Sequence, residues 1–187
     1  MPSELVDGLT IPLRLAGDPA LDFCNTRAGW GEAEPKEYLR SYAHLAVWAR
    51  AAGLVDRVPD GPRSGRVLER ALCLRGALYA ICTHRPDDDS WDVVASEAQR
   101  AACASRLTPA GWRFADDVGP ELPLLAVARA AGELVVSPRL ERVAACPGDG
   151  CGWVFLDRGG RRRWCTMAVC GNRAKARRHA ARVRTRR

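Results

Sequence analysis

Apolar residues recur with helical spacing in four segments of this chain, and the pattern predicts a mainly helical protein. The predicted helices cover residues 35–52, 66–83, 89–105 and 121–136. Pro35 suits the first turn of the first helix, and Gly53 suits the position just after its end. The second helix has the clearest apolar stripe, and Pro138 follows the fourth as a breaker.

The extended segments that the pattern predicts are short. Residues 10–15 alternate weakly and predict a strand, and a turn at Gly17-Asp18-Pro19 separates it from an extended or helical turn at residues 20–26. Residues 111–115 predict a second short strand. Residues 56–65 contain two prolines and two glycines and predict a loop.

The last part of the chain has a different pattern. A β-prone run at residues 153–156, a turn at 157–160 and a return run at 161–164 predict a two-stranded ribbon. Residues 173–184 then predict a helix, on which Ala176, Ala180 and Val183 form a narrow apolar side suited to docking on the ribbon. Because such a ribbon is too small to bury a core, its stability must have another source.

The eight cysteines fall into two groups. Cys24, Cys73, Cys82 and Cys103 are scattered among apolar residues, which is typical of inert core cysteines. The other four follow the spacing Cys146-x4-Cys151-x13-Cys165-x4-Cys170, which is typical of a structural zinc site with four thiolate ligands. Two disulfides of a redox sensor, or four unrelated cysteines, are the alternatives. We expect one zinc ion, with Trp153 and Trp164 packed over it.

Charge is divided unevenly along the 187 residues, whose net charge is +7. Residues 146–187 contain twelve Lys and Arg against two acidic residues, a net charge of +10, and residues 1–145 have a net charge of −3. A basic surface beside a zinc site is typical of nucleic-acid binding, and a solvated basic face is the alternative. The candidate nucleic-acid contacts are Arg161, Arg162, Arg163, Arg173, Lys175, Arg177, Arg178, Arg182 and Arg184.

Several functional classes are disfavoured. The three histidines lack the sequence context of a zinc protease or deaminase, and phosphate-binding and nucleophile-elbow motifs do not occur, so we expect no enzyme. The longest wholly apolar run, residues 77–82, is far shorter than a membrane span of about 18 residues. The first residues lack the basic start of a signal peptide, so we expect a cytoplasmic protein.

The segment Leu21-Asp22-Phe23-Cys24-Asn25-Thr26 contains three polar residues that are candidates for a functional or structural role. Asp22, Asn25 and Thr26 have two possible roles. They could line a ligand pocket, or their side chains could fix a turn through hydrogen bonds to the backbone.

Two stretches resemble known families. Arg163-Trp164-Cys165, Met167 and Cys170-Gly171-Asn172-Arg173-Ala174-Lys175 resemble the signature of CGNR-type zinc fingers. Residues 21–26 resemble the LDFxNT stretch of the ABATE domain, which precedes that finger in a family of stress-induced transcription regulators. The resemblance implies zinc on the four clustered cysteines and DNA binding by the finger. The loop at residues 158–160 is shorter than is usual in that family.

The sequence therefore predicts an α+β protein that is mainly helical. A helical regulatory domain with a short N-terminal strand region covers residues 1–140, and a zinc-ribbon-like finger with a basic helix covers 141–187. The predicted function is a zinc-dependent bacterial transcription regulator that binds double-stranded DNA. We expect the N-terminal domain to form a homodimer or to sense an effector, which the sequence does not identify. An RNA- or ribosome-associated zinc module is the alternative.

Overall fold

The computed structural model describes residues 1–30, 32–57, 64–87 and 89–185. The helices are α1 (Pro19–Cys24), α2 (Tyr42–Ala51), α3 (Ser64–Cys82), α4 (Ser90–Cys103), α5 (Leu122–Val135) and α6 (Asn172–Thr185). The strands are β1 (Ser3–Val6), β2 (Leu9–Pro12), β3 (Arg27–Ala28), β4 (Lys36–Glu37), β5 (Ser105–Thr108), β6 (Gly111–Phe114), β7 (Val143–Ala145) and β8 (Val154–Leu156). A 3₁₀ turn covers Pro138–Arg142, and a π-type turn covers Met167–Gly171.

Helix α5 is the centre of the hydrophobic core. Its sequence is almost wholly apolar, and Leu124, Val127, Ala128, Ala131 and Leu134 are fully buried. Helices α1, α2, α3 and α4 all pack against it. A helix that is apolar on most of its circumference must be covered on most sides, so the other helices surround this one.

Three of the four helices predicted in the first 140 residues lie where their spacing places them, as α3, α4 and α5. The first begins later than predicted, because residues 36–37 form strand β4 instead. The Glu37 carboxylate accepts hydrogen bonds from the Leu39 N–H and the Arg75 guanidinium, which holds this segment extended. Pro35 therefore lies outside the helix, whereas Gly53 follows its end with a φ of 70°, as predicted.

The strands form four antiparallel pairs within the described residues. The predicted strand at residues 10–15 is β2, and it pairs with β1 across a tight turn in which Asp7 and Gly8 both have positive φ. The predicted strand at residues 111–115 is β6. Its partner β5 begins at Ser105, which the predicted helix 89–105 included, whereas α4 ends at Cys103. Of the loop predicted at residues 56–65, residues 58–63 lie outside the described part of the chain.

The predicted ribbon within residues 153–164 is wrong in its pairing. Strand β8 pairs with β7, which precedes the first clustered cysteine, and residues 161–164 form no strand. The Asp157 carboxylate accepts hydrogen bonds from the N–H groups of Arg161 and Arg162, which turns the chain away from β8. Val143, Val154 and Leu156 belong to the same hydrophobic core as α5. The division into residues 1–140 and 141–187 stays a prediction.

Candidate metal centre and nucleic-acid interface

The four cysteines with paired spacing meet in one buried cluster. The Sγ atoms of Cys146, Cys151, Cys165 and Cys170 all lie within 4.8 Å of one another. Both the Cys151–Cys165 and the Cys165–Cys170 Sγ separations are 3.6 Å. A tetrahedral zinc with Zn–S bonds of about 2.3 Å places its sulfurs about 3.8 Å apart, whereas a disulfide bond is about 2.05 Å long. The arrangement fits zinc and not two disulfides.

Short-range turns bring these ligands together. Cys146 follows β7, and its N–H donates to the Trp153 carbonyl at 2.7 Å. The Cys151 N–H donates to the Gly148 carbonyl at 2.9 Å, which closes the first knuckle. A Cβ atom on Gly148 would lie 2.8 Å from the Cys170 Sγ, so this position needs glycine for lack of space. Cys170 lies in the π-type turn that leads directly into α6.

The thiols need a cation to ionise together. Contact with the Cys146 thiol raises the pKa of Cys151 to about 12. Contacts with Cys146 and Cys151 raise the pKa of Cys165 well above its usual range. A divalent ion supplies the positive charge that lets neighbouring thiols lose their protons. The donor set therefore fits one structural zinc ion, and four protein ligands leave no coordination position for a substrate.

Aromatic side chains cover the cluster. Trp153 is fully buried among the cysteines, and its Nε1–H donates to the Arg27 carbonyl at 3.1 Å. Trp164 is partly buried and packs against the same cluster, as predicted. Gly171 lies in close contact with two neighbouring side chains. A Cβ atom there would lie 2.5 Å from the Met167 Sδ and 3.4 Å from the Trp164 Cδ1.

A set of contacts, which we call the seam, joins the finger to the helical body. The Asn25 side chain pairs with both backbone groups of Val154, and the Gly29 N–H donates to the Cys151 carbonyl at 3.0 Å. The Tyr79 hydroxyl donates to the Gly152 carbonyl at 2.8 Å. Trp30 stacks on Tyr79 at 3.7 Å between ring centroids, and a Cβ atom on Gly152 would lie 2.7 Å from the Trp30 Cβ. The zinc knuckle is therefore held directly by the body.

The three polar residues of the 21–26 segment are buried and have partners within the protein. Asp22 accepts from the Ala16 N–H at 2.8 Å, and burial raises the pKa of its carboxyl to about 6. The Thr26 hydroxyl donates to the Phe23 carbonyl and accepts from Arg75. The Asp22 side chain holds the turn before α1, and the side chains of Asn25 and Thr26 connect the end of α1 to β8 and α3.

The nine candidate basic residues occupy different environments. Arg162 is turned inward, where its guanidinium lies 4.5 Å over the Phe155 ring and donates to the Leu15 and Cys165 carbonyls, both at 2.6 Å. Arg177 pairs with Asp149 at 2.5 Å. The others have exposed side chains, namely Arg161, Arg163, Arg173, Lys175, Arg178, Arg182 and Arg184.

Helix α6 is exposed along most of its length. Ala174 is buried, but the residues from Lys175 to Arg184 are exposed. The predicted docking of Ala176, Ala180 and Val183 on the ribbon is therefore wrong. The strand on which they were expected to dock does not form, because residues 161–164 lead away from β8.

The chain combines a helical regulator-type domain with a four-cysteine finger. Residues 17–138 match the family described as "Putative stress-induced transcription regulator", the ABATE family, and this match covers more than half of the chain. The chain therefore belongs to the ABATE family. Residues 142–183 match the CGNR zinc finger.

These matches confirm both families that the two sequence stretches resemble, with the ABATE domain preceding the CGNR finger. Both families are of regulator or zinc-finger type and neither is an enzyme family. No curated protein matches the chain. None of the described helices is long and apolar enough to cross a membrane.

Proposed function

We propose that this protein is a bacterial, cytoplasmic transcription regulator that binds double-stranded DNA through its finger and α6. The observation that carries the proposal is the exposed helix α6, which has six Lys and Arg and no acidic residue over residues 172–185. A helix with a basic surface of this kind neutralises phosphates and displaces condensed counterions from a duplex. The zinc site fixes the first turn of this helix to the body.

Helix α6 has two basic stripes on opposite sides, and the two stripes differ in their surroundings. Arg173, Arg177 and Arg184 form one stripe, but Arg177 pairs with Asp149, and Arg173 lines a cleft together with Glu32 and Glu34. Acidic neighbours lower the attraction of that side for phosphate.

Lys175, Arg178 and Arg182 form the other stripe, and no ion pair joins them to the described residues. We assign the duplex contacts mainly to this second stripe, which we call the free stripe. Arg161 and Arg163 are exposed and available to extend it, whereas Arg162 is committed to the interior.

Selection of bound duplexes from a random DNA pool tests the proposal. The intact protein should enrich one sequence motif, and the Cys165→Ala protein should lose that enrichment because it lacks a zinc ligand. Competition with a structured RNA separates duplex DNA binding from the RNA alternative, since RNA helices are recognised by shape and 2′-hydroxyls. Failure to enrich any motif, or stronger binding to the RNA, would contradict the proposal.

The helical domain is proposed to sense a signal or to form a homodimer. A two-fold dimer would present two fingers to paired half-sites about 34 Å apart. Light scattering of the protein, free and bound to its selected duplex, measures this stoichiometry. A single protein chain on each selected duplex would contradict the dimer.

A further inference from the structure

A cleft on the helical body lies away from the zinc site. It runs between α5, the β5–β6 hairpin and the chain after α2, and its outer lobe has a volume of about 670 Å³. A second lobe of about 380 Å³ continues toward the start of α1. Leu54, Trp112 and Arg129 line both lobes. These volumes lie in the range of about 300–1,000 Å³ that is typical of small-molecule sites.

Arg129 is the polar group that distinguishes this cleft. Its guanidinium lies 4.4 Å over the Phe114 ring, and its Nη1 is enclosed without a hydrogen-bond partner in the described part of the chain. No ion pair joins this side chain to a described acidic residue. A partly desolvated cation is costly, and an anionic ligand against the accessible part of the guanidinium would neutralise its charge.

The other side chains of the cleft carry charges of both signs, and Arg113 adds an exposed cation to the outer lobe. Arg139 pairs with the buried Asp18 at 2.6 Å. The Arg57 guanidinium donates to the backbone carbonyl of Asp116 at 2.6 Å, and both residues line the outer lobe. Asp56 and Glu133 add negative charge at the two ends of the cleft. A polyphosphate or nucleic acid would be repelled by these acids, whereas a ligand with one negative charge can reach Arg129.

Apolar surface lies beside this cation. Trp112 is 61% exposed, and its cross-strand partner Leu107 is 70% exposed on the same face of the hairpin. Leu54 and Leu122 add aliphatic surface inside the cleft. A flat apolar body placed against Trp112 would bury area that is now in water.

We propose that this cleft binds a small organic monocarboxylate, with its carboxylate on Arg129 and its apolar body against Trp112. The second lobe is lined by Asp18 and Pro19, at the N-terminal end of α1. The C-terminal cap of α1 is Asn25, which holds the finger at Val154. A ligand in the cleft is thus placed to affect the finger as an effector. That consequence rests on the proposed function, but the binding site does not.

Binding to the full-length zinc-loaded protein, without DNA, tests the site. The probes are benzoate, 2-naphthoate, indole-3-acetate and octanoate, each compared by calorimetry with its neutral carboxamide. At least one carboxylate should bind with a dissociation constant below about 1 mM, and its amide should bind at least about 10-fold more weakly. Arg129→Gln should reduce carboxylate binding at least about 10-fold. Arg100 is an exposed residue of α4 outside the cleft, and Arg100→Gln should leave carboxylate binding unaltered.

Three outcomes would overturn the site. No carboxylate binds, or acid and amide bind equally, or Arg129→Gln binds as well as the unaltered protein. If Arg129→Gln does not fold, the comparison of acid with amide on the unaltered protein decides, and Trp112→Ala at the exposed position should weaken 2-naphthoate. Loss of DNA binding by Cys165→Ala has no bearing on these measurements, so the two proposals fail separately.

Discussion

The Asn25 side chain forms two hydrogen bonds with the backbone of Val154, 129 residues away in the chain. Its Nδ2 donates to the Val154 carbonyl, and its Oδ1 accepts from the Val154 N–H, both at 2.9 Å. The asparagine and the valine are both buried, and one amide thus satisfies both polar groups of a strand residue. Asn25, the C-terminal cap of α1, therefore holds Val154, the first residue of β8 after the first zinc knuckle.

Replacing this amide should destabilise the whole protein. Asn25→Ala leaves the Val154 N–H and carbonyl buried without partners, and each unpaired group costs about 1–3 kcal/mol. We therefore expect the free energy of unfolding to fall by about 2–5 kcal/mol in urea titrations. Asn172→Ala is the matched control, because that exposed amide donates to the Ala168 carbonyl at 3.3 Å on the surface. Equal losses in the two variants would contradict the role of Asn25.

Removing one zinc ligand should abolish metal binding. Cys165→Ala leaves three thiols in a buried cluster built for four, so zinc content after dialysis should fall from one ion per chain to nearly none. Cys73 and Cys103 are exposed, so their predicted place in the core is wrong, and Cys73→Ala should keep its zinc. Atomic emission of the purified proteins measures both. Stoichiometric zinc in Cys165→Ala, or its loss from Cys73→Ala, would contradict the assigned ligands.

Asp22 should make stability depend on pH in a defined direction. Burial raises the pKa of its carboxyl to about 6, above the value of about 3.9 in an unfolded chain. Between these values the folded protein binds the extra proton, so its stability decreases as the pH rises and levels off above 6. Asp22→Asn lacks this proton equilibrium.

The difference in unfolding free energy between the native protein and Asp22→Asn should therefore change between pH 5 and pH 7. The native protein should lose about 1 kcal/mol or more relative to the variant over this range. Urea titrations of both proteins at pH 5, 6 and 7 measure it. A difference that does not vary with pH would show that this carboxyl has no raised pKa.

The same substitution at two adjacent arginines should change the free energy of unfolding by very different amounts. Arg162→Gln removes donors to the Leu15 and Cys165 carbonyls and the contact with Phe155, so unfolding free energy should fall by about 2–3 kcal/mol. Arg161 is exposed, and Arg161→Gln should change stability by less than about 0.5 kcal/mol. Denaturant titrations of the two variants measure the contrast. A larger loss in Arg161→Gln would contradict the inward role of Arg162.

Local features of the protein were predictable from sequence, and features that depend on distant contacts were not. Helices α3 and α5 and the four clustered cysteines follow from spacing within short windows. The pairing of β8 with β7 does not, because two short strands on either side of a zinc knuckle have no pattern that distinguishes them from a local ribbon.

Some features of the candidate site also depend on distant contacts and were not predictable from the sequence. Arg162 has the same charge as its neighbours in the sequence, and only the folded position of the Leu15 carbonyl reveals its inward role. The sequence also does not reveal the hydrogen bonds between Asn25 and Val154. A turn fixed by side chains was, however, one of the two roles predicted for the polar residues at positions 22, 25 and 26. The close contact of Gly171 with Met167 and Trp164 is likewise a packing relation that has no sequence signal.

The salt dependence of duplex binding tests directly whether the free stripe of α6 binds DNA. With about five phosphates neutralised, log K should fall against log salt with a slope near −4.5. Lys175→Gln, Arg178→Gln and Arg182→Gln combined, which remove the free stripe, should reduce this slope to about −1.8, because about three contacts are lost.

The matched control combines Arg173→Gln, Arg177→Gln and Arg184→Gln, which remove the same charge from the opposite flank of α6. Fluorescence anisotropy with the selected duplex at several salt concentrations measures all three proteins. We expect the control to keep a slope steeper than about −3, whereas the free-stripe variant should not. A flat salt response of the unaltered protein, or a greater loss in the control, would contradict it.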